Sequence, residues 1–174
     1  MGARLESLAA VQVRARAIRL AVFDVDGVLT DGTLLIDAEG RESKRFHVHD
    51  GHGLKALLGA GIEVAVISAR ESAAVTRRMS ELGIRHVHQG ERDKLGRLSE
   101  LCRLQALSFE QVCYCGDDVP DLACMGVVGL ACSVADASMA ARAAAHWISA
   151  RNGGRGAVRE LCELLLAARP QAAG

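Results

Sequence analysis

A short apolar run, Leu20-Ala21-Val22-Phe23, stops abruptly at Asp24-Val25-Asp26-Gly27. An apolar run with no polar alternation predicts a strand buried on both faces, as in parallel sheets. Ligands of open α/β sheets bind outside the carboxyl ends of the strands, so the two acids stand where a ligand is expected. In extended geometry Asp24 and Asp26 project to the same side. Carboxylates held that close need a cation or a proton between them. Gly27 allows a sharp turn and close approach of backbone to a ligand. The plainer alternative is a solvated loop in which two acids end a strand.

At 174 residues the chain is long enough for one domain with a core and short for two. The expected division is a helical lead-in over 1–17, one domain over 18–168 and a tail over 169–174. Half of the residues are apolar but only 3% are aromatic, so Ala, Val, Leu and Ile must build the core. Twenty-one basic against 21 acidic residues give no net field, which argues against a nucleic-acid or anionic-membrane surface. Cys102, Cys113, Cys115, Cys124, Cys132 and Cys162 show no zinc-like spacing and read as reduced core residues. No apolar run reaches membrane-spanning length, and the first twenty residues lack the pattern of a signal peptide. The expected location is the cytoplasm.

After Asp31-Gly32, strand-like runs at Thr33–Ile36 and Glu42–Val48 flank Asp37-Ala38-Glu39-Gly40. They predict a β-hairpin flap over about 32–48, above the two carboxylates. An isolated hairpin is marginal in water, so it should pack on something, a second subunit included. His47, His49 and His52 surround Asp50; the first two would share a strand face while His52 lies past a glycine turn, which favours polar residues at a flap base over a metal site. A helix opening at Asp50 would put Lys55 in its first turn, where a cation suits a nearby anion or is merely solvated.

The second buried strand, Ile62–Ile67, ends in Ser68-Ala69-Arg70, before a helix over Glu71–Leu82. Ser68 reads equally well as a holder of a phosphate oxygen and as a helix cap. A third strand at His86–His88 precedes a helix with Lys94 in its first turn. A fourth, Gln111–Cys115, ends in Gly116-Asp117-Asp118-Val119-Pro120-Asp121. Those carboxylates are hard oxygen ligands suited to Mg²⁺, and Asp118 with Pro120 also reads as a helix start. Val127–Cys132 and His146–Ile148 read as further strands. Asn152-Gly153-Gly154-Arg155-Gly156 reads as a flexible break before a last helix, with Arg155 an anion contact or a plain loop charge.

Repeated β-α alternation predicts an α/β fold with a doubly wound parallel sheet, no large cap, and strand ends brought together along one edge. In order and chemistry, Asp24-Val25-Asp26-Gly27-Val28-Leu29-Thr30, Ser68, Lys94 and Gly116–Asp121 resemble the four motifs of the haloacid dehalogenase-like phosphatases. The hairpin, Phe46–Lys55, Ile67–Arg70, Gly116–Leu122 and Gly153–Glu160 are more narrowly similar to the family of 3-deoxy-D-manno-octulosonate 8-phosphate phosphatases. The chain departs from that pattern at Ala69, where the motif usually has Gly.

The resemblance implies a capless, Mg²⁺-dependent hydrolase of lipopolysaccharide precursor synthesis, acting on a phosphorylated sugar acid. It implies a homotetramer whose hairpins and C-terminal segments meet neighbouring subunits. Asp24 would be the nucleophile that becomes an aspartyl-phosphate, and Asp26 the acid/base. Ser68 and Lys94 would steady the transferring oxygens. Asp24, Asp117 and the main-chain oxygen of Asp26 would hold the metal, with Asp118 and Asp121 orienting that site and Lys94. Thr30, Lys55, Arg70 and Arg155 are implied substrate contacts, Arg155 from a neighbouring chain. Competing readings are a nine-carbon acid 9-phosphate as substrate, phosphotransfer in place of hydrolysis, and a non-catalytic module that kept the fold.

Overall fold

The computed structural model describes residues 5–169. The start of the lead-in and almost all of the 169–174 tail lie outside them. Six parallel strands form one sheet: β1 (Leu20–Phe23), β4 (Glu63–Ile67), β5 (His86–His88), β6 (Val112–Cys115), β7 (Leu130–Ser133) and β8 (Trp147–Ile148). Their spatial order is β5-β4-β1-β6-β7-β8. The chain winds outward in one direction from β1 through β4 to β5, then crosses over and winds the other way from β6. The reversal falls between β1 and β6, the position at which open sheets form a ligand crevice.

Alternation along the strands sorts the core into two layers. Ala21, Phe23, Val64, Val66, Cys113, Cys115, Leu130 and Cys132 pack on one face. Above them lie α1 (Leu8–Ala17), α2 (Val48–Gly59), α3 (Ala73–Leu82) and α7 (Ala157–Ala167). Leu20, Val22, Ala65, Ile67, Val112, Tyr114 and Ala131 face the other way, against α4 (Lys94–Leu104), α5 (Leu122–Met125) and α6 (Met139–Ala144). Leu54 and Leu57 of α2 are fully buried beside Val158 and Leu161 of α7, each such side chain stabilising the fold by about 1.5–3 kcal/mol. All six cysteines are buried and free. Among the described residues no helix is long and apolar enough to cross a membrane.

Several local expectations are corrected. The hairpin ladder is only β2 (Leu35–Ile36) against β3 (Glu42–Ser43), joined by residues 37–41, with the Asp37 carboxylate accepting from the backbone N–H groups of Glu39 and Arg41. The segment expected to continue as strand to Val48 instead turns into α2, whose N-cap is His47; His47 Nδ1 accepts from His49 N–H at 3.2 Å. Helix α2 therefore begins before Asp50, and Lys55 sits beyond its first turn. Helix α3 begins at Ala73, so Ser68 is not its cap. The strand expected at Val127–Cys132 is shifted to Leu130–Ser133.

The glycine-rich segment before α7 is not a loose break. A Cβ on Gly153 would stand 1.7 Å from the Gly27 carbonyl oxygen, so only glycine permits this contact between the two loops. Gly154 N–H donates to Val28 O at 2.9 Å and Gly153 N–H to the Asp136 carboxylate at 2.9 Å.

Candidate active site

The sheet carries its register one residue past three strand ends. Asp24 N–H donates to Cys115 O at 3.0 Å, Ser68 N–H to His88 O at 2.9 Å, and Gly116 N–H to Cys132 O at 3.2 Å. Three loops thus start from fixed points around the β1/β6 reversal. Between them lies a cavity of about 260 Å³ lined by Asp24, Asp26, Ser68, Ala69, Arg70, Lys94, Asp117, Asp118, Pro120 and Asp121. A larger hollow of about 370 Å³, beside His49, Arg151 and Arg159, contains none of the expected site residues.

Lys94 is the first residue of α4, which Asp93 caps by accepting Gly96 N–H at 2.9 Å. Its side chain is buried, and Nζ donates to Asp24 at 2.8 Å and to Asp121 at 2.7 Å. Asp121 is saturated. Its Oδ1 also accepts the Tyr114 hydroxyl at 2.8 Å, and its Oδ2 accepts the backbone N–H groups of Asp117 at 3.0 Å and Asp118 at 3.3 Å. One buried carboxylate therefore ties β6, the loop after it and α4 together.

Burial, then the neighbouring Asp121, pushes the Asp24 carboxyl up to about 6, against the opposing pull of Lys94. Burial, Asp24, Asp121 and Asp118 push Asp117 up to about 7. Burial works against the Lys94 charge, but Asp24 and Asp121 outweigh it and hold the ammonium above its ordinary value. Carboxylate oxygens of Asp24, Asp117 and Asp121 all lie within 4.8 Å of one another. Asp121 is fully engaged, the single Lys94 charge is shared between it and Asp24, and among the described residues no donor reaches the Asp117 carboxylate, so the negative charge left over falls on Asp24 and Asp117. Two hard oxygen donors that repel across a small gap fit a divalent cation of the Mg²⁺ type. Gly27 shapes this gap: with φ at +94°, it would, if given a Cβ, set that atom 2.1 Å from an Asp117 oxygen.

Of the remaining expected residues, Ser68 is buried and its Oγ accepts Arg70 N–H at 3.2 Å. Arg70 reaches the cavity mouth, with Nε 3.7 Å from Asp26 Oδ2. Ala69 is exposed and has no positive φ, so the departure from Gly introduces no backbone strain. Thr30 is buried and is not part of the cavity wall; its hydroxyl is engaged with Val25 O and the N–H groups of Gly27 and Gly32. Lys55 is exposed on α2 and outside the cavity lining. Arg155 pairs with Asp31 of its own chain at 3.0 Å.

No family model matches the chain. The 3-deoxy-D-manno-octulosonate 8-phosphate phosphatase of Yersinia pestis is 43% identical over 161 residues, covering 92% of this chain and 86% of the relative. The chain belongs to this haloacid dehalogenase-like phosphatase family. The phosphatase of the same name from Escherichia coli K12 is 44% identical over 91% of this chain and 85% of the relative. The crystal structure of the Moraxella catarrhalis phosphatase, in complex with magnesium ion, phosphate ion and a KDO molecule, is 42% identical. It superposes with a TM-score of 0.92, covering 94% of each chain.

Sequence reasoning missed three elements of this phosphatase site. Lys44 of the hairpin folds back onto Asp26, with its side chain only 3% exposed. Glu42 pairs with Lys44 at 2.8 Å and also with Arg70. Tyr114 was legible only as an apolar strand residue, although a buried phenol needs a partner for its hydroxyl. Asp50, read as part of a polar flap base, is instead buried and caps α7, accepting from Arg159 N–H at 2.8 Å and Gly156 N–H at 3.3 Å.

Proposed function

We propose that this chain hydrolyses 3-deoxy-D-manno-octulosonate 8-phosphate to the free sugar acid and phosphate, through an aspartyl-phosphate on Asp24. The observation that carries this reading is the meeting of Asp24, Asp26, Lys94 and Asp117 in one cavity at the β1/β6 reversal. Identity of 43–44% with relatives bearing that activity in their names supports the substrate.

The carboxylates of Asp24 and Asp117, with the main-chain oxygen of Asp26, would hold Mg²⁺. The bound ion supplies charge that lets an anionic nucleophile meet an anionic phosphate. Asp24 attacks phosphorus as the bond to the sugar oxygen breaks. Asp26 protonates that departing oxygen and then takes a proton from the water that hydrolyses the acyl phosphate. Lys94 keeps Asp24 ionised and oriented, and with Ser68 it steadies charge on the phosphoryl oxygens. Asp118 and Asp121 orient this machinery. Arg70, at the cavity mouth, suits the substrate carboxylate; Thr30, Lys55 and Arg155 are weaker candidates for contact, and only a neighbouring subunit would bring Lys55 or Arg155 to the pocket.

Leu34, Leu35 and Ile36 of the hairpin are 50%, 46% and 60% exposed. That apolar patch supports assembly of hairpins into a homotetramer, and a cytoplasmic location fits the free thiols. The experiment for the substrate is phosphate release from a panel of sugar phosphates, with Mg²⁺ and with EDTA. An EDTA-sensitive preference for the eight-carbon acid is expected; equal rates across the panel, or a preference for a nine-carbon acid 9-phosphate, would remove this substrate.

A further inference from the structure

Asp26 is held from the hairpin as well as from its own loop. Lys44 Nζ bonds Asp26 Oδ1, and the same ammonium contacts Glu42 at 2.8 Å. Glu42 in turn pairs with Arg70, whose Nε lies 3.7 Å from Asp26 Oδ2. Asp26, Lys44, Glu42 and Arg70 thus form a closed ring of alternating charge between the hairpin and the cavity mouth. Lys44 is the buried member, its side chain 3% exposed against 47% for Arg70. A buried ammonium shared by two carboxylates has little freedom to move, whereas an exposed pair would contribute little.

We propose that Lys44 is the positioning residue of the acid/base: it clamps Oδ1 of Asp26 and so presents Oδ2 for proton exchange with the departing oxygen. The inference rests on the acid/base role proposed above for Asp26. Among the described residues Oδ2 accepts no hydrogen bond, since 3.7 Å to Arg70 exceeds hydrogen-bond length. As the P–O bond breaks, its electron pair goes to the sugar oxygen, and the proton passes to that oxygen from Oδ2. A basic alkoxide needs this proton, whereas p-nitrophenolate leaves without it. Loss of a purely structural clamp would slow both reactions alike, and loss of a proton-positioning clamp would not.

The test compares kcat/KM of the full chain with Mg²⁺ on 3-deoxy-D-manno-octulosonate 8-phosphate and on p-nitrophenyl phosphate. This parameter stops at the first irreversible step, so hydrolysis of the acyl phosphate, common to both substrates, does not enter. Lys44→Met is expected to lose about tenfold or more on the sugar phosphate than on the aryl phosphate, from the ~10²–10⁴-fold that general acid catalysis supplies. Lys44→Arg should restore most of the difference. The double variant Glu42→Gln/Lys44→Met also neutralises the second carboxylate that loses Lys44, which Arg70 still contacts, and should keep the same selective defect. Equal losses on both substrates, or none, overturn the role of Lys44 while leaving the phosphatase reading intact. If the wild type favours another aliphatic phosphate, that ester replaces the octulosonate and only the substrate is lost. A wild type inert on both classes overturns the phosphatase reading and this inference together.

Discussion

The Tyr114 hydroxyl donates to Asp121 Oδ1 at 2.8 Å, the same oxygen that receives Lys94. Tyr114 lies in the middle of the sheet core and Lys94 at the start of a helix 20 positions earlier in the chain. The core thus sets the position of the cation that bonds Asp24. Tyr114→Phe keeps the ring but removes one of the donors to a buried carboxylate. The expected loss is about 1–3 kcal/mol in unfolding free energy and about tenfold in kcat. A denaturant melt and steady-state kinetics check both, and unchanged kcat would detach the core from the site.

Gly27→Ala tests the packing of the Asp24–Gly27 loop against Asp117, the proposed metal ligand. The added methyl would meet an Asp117 oxygen, at a backbone φ of +94° that an alanine tolerates poorly. The variant should lose about 1–3 kcal/mol. Its Mg²⁺ affinity or activity should fall about 10–100-fold, which titration calorimetry with Mg²⁺ alone can read. Wild-type affinity in a correctly folded variant would mean that Asp117 can withdraw without consequence for metal binding.

Protons and Mg²⁺ should compete for the same carboxylates. Asp24 near 6 and Asp117 near 7 both stand above their ordinary value of 3.8. The metal-free folded state therefore binds more protons than the unfolded chain between about pH 4 and pH 7, and its stability falls as pH rises through that interval. Thermal melts in EDTA should show Tm decreasing across it. The stabilisation added by a fixed Mg²⁺ concentration should grow over the same range, as the acids lose their protons. A magnesium increment independent of pH would place the ion elsewhere.

The parallel sheet and the edge at which the polar side chains gather were legible because each buried strand is a short apolar run that stops at a polar cluster. Asp24, Asp26, Ser68, Lys94 and Asp117 lie near such stops, and chain direction in a parallel sheet carries them to one edge. The hairpin was less legible. Phe46 and Val48 have strand propensity, yet His47 caps a helix there, and local preference yields to the packing of Leu54 and Leu57 on α7. Lys44 carried no local sign of its role, since its partner Asp26 lies 18 residues back across a turn. Asp50 was equally opaque, because the N-terminus it caps lies more than 100 residues away.

The proposed hydrolysis turns on a covalent bond to Asp24, and trapping that bond is the most direct measurement. The enzyme would be mixed with 3-deoxy-D-manno-octulosonate 8-phosphate and Mg²⁺, quenched in acid during turnover, and reduced with borohydride, which converts an acyl phosphate to an alcohol. Peptide mass spectrometry should then find homoserine at position 24, only when substrate and Mg²⁺ were both present. An unreduced Asp24 throughout turnover, with the label on another carboxylate or on none, would contradict the nucleophile assigned here.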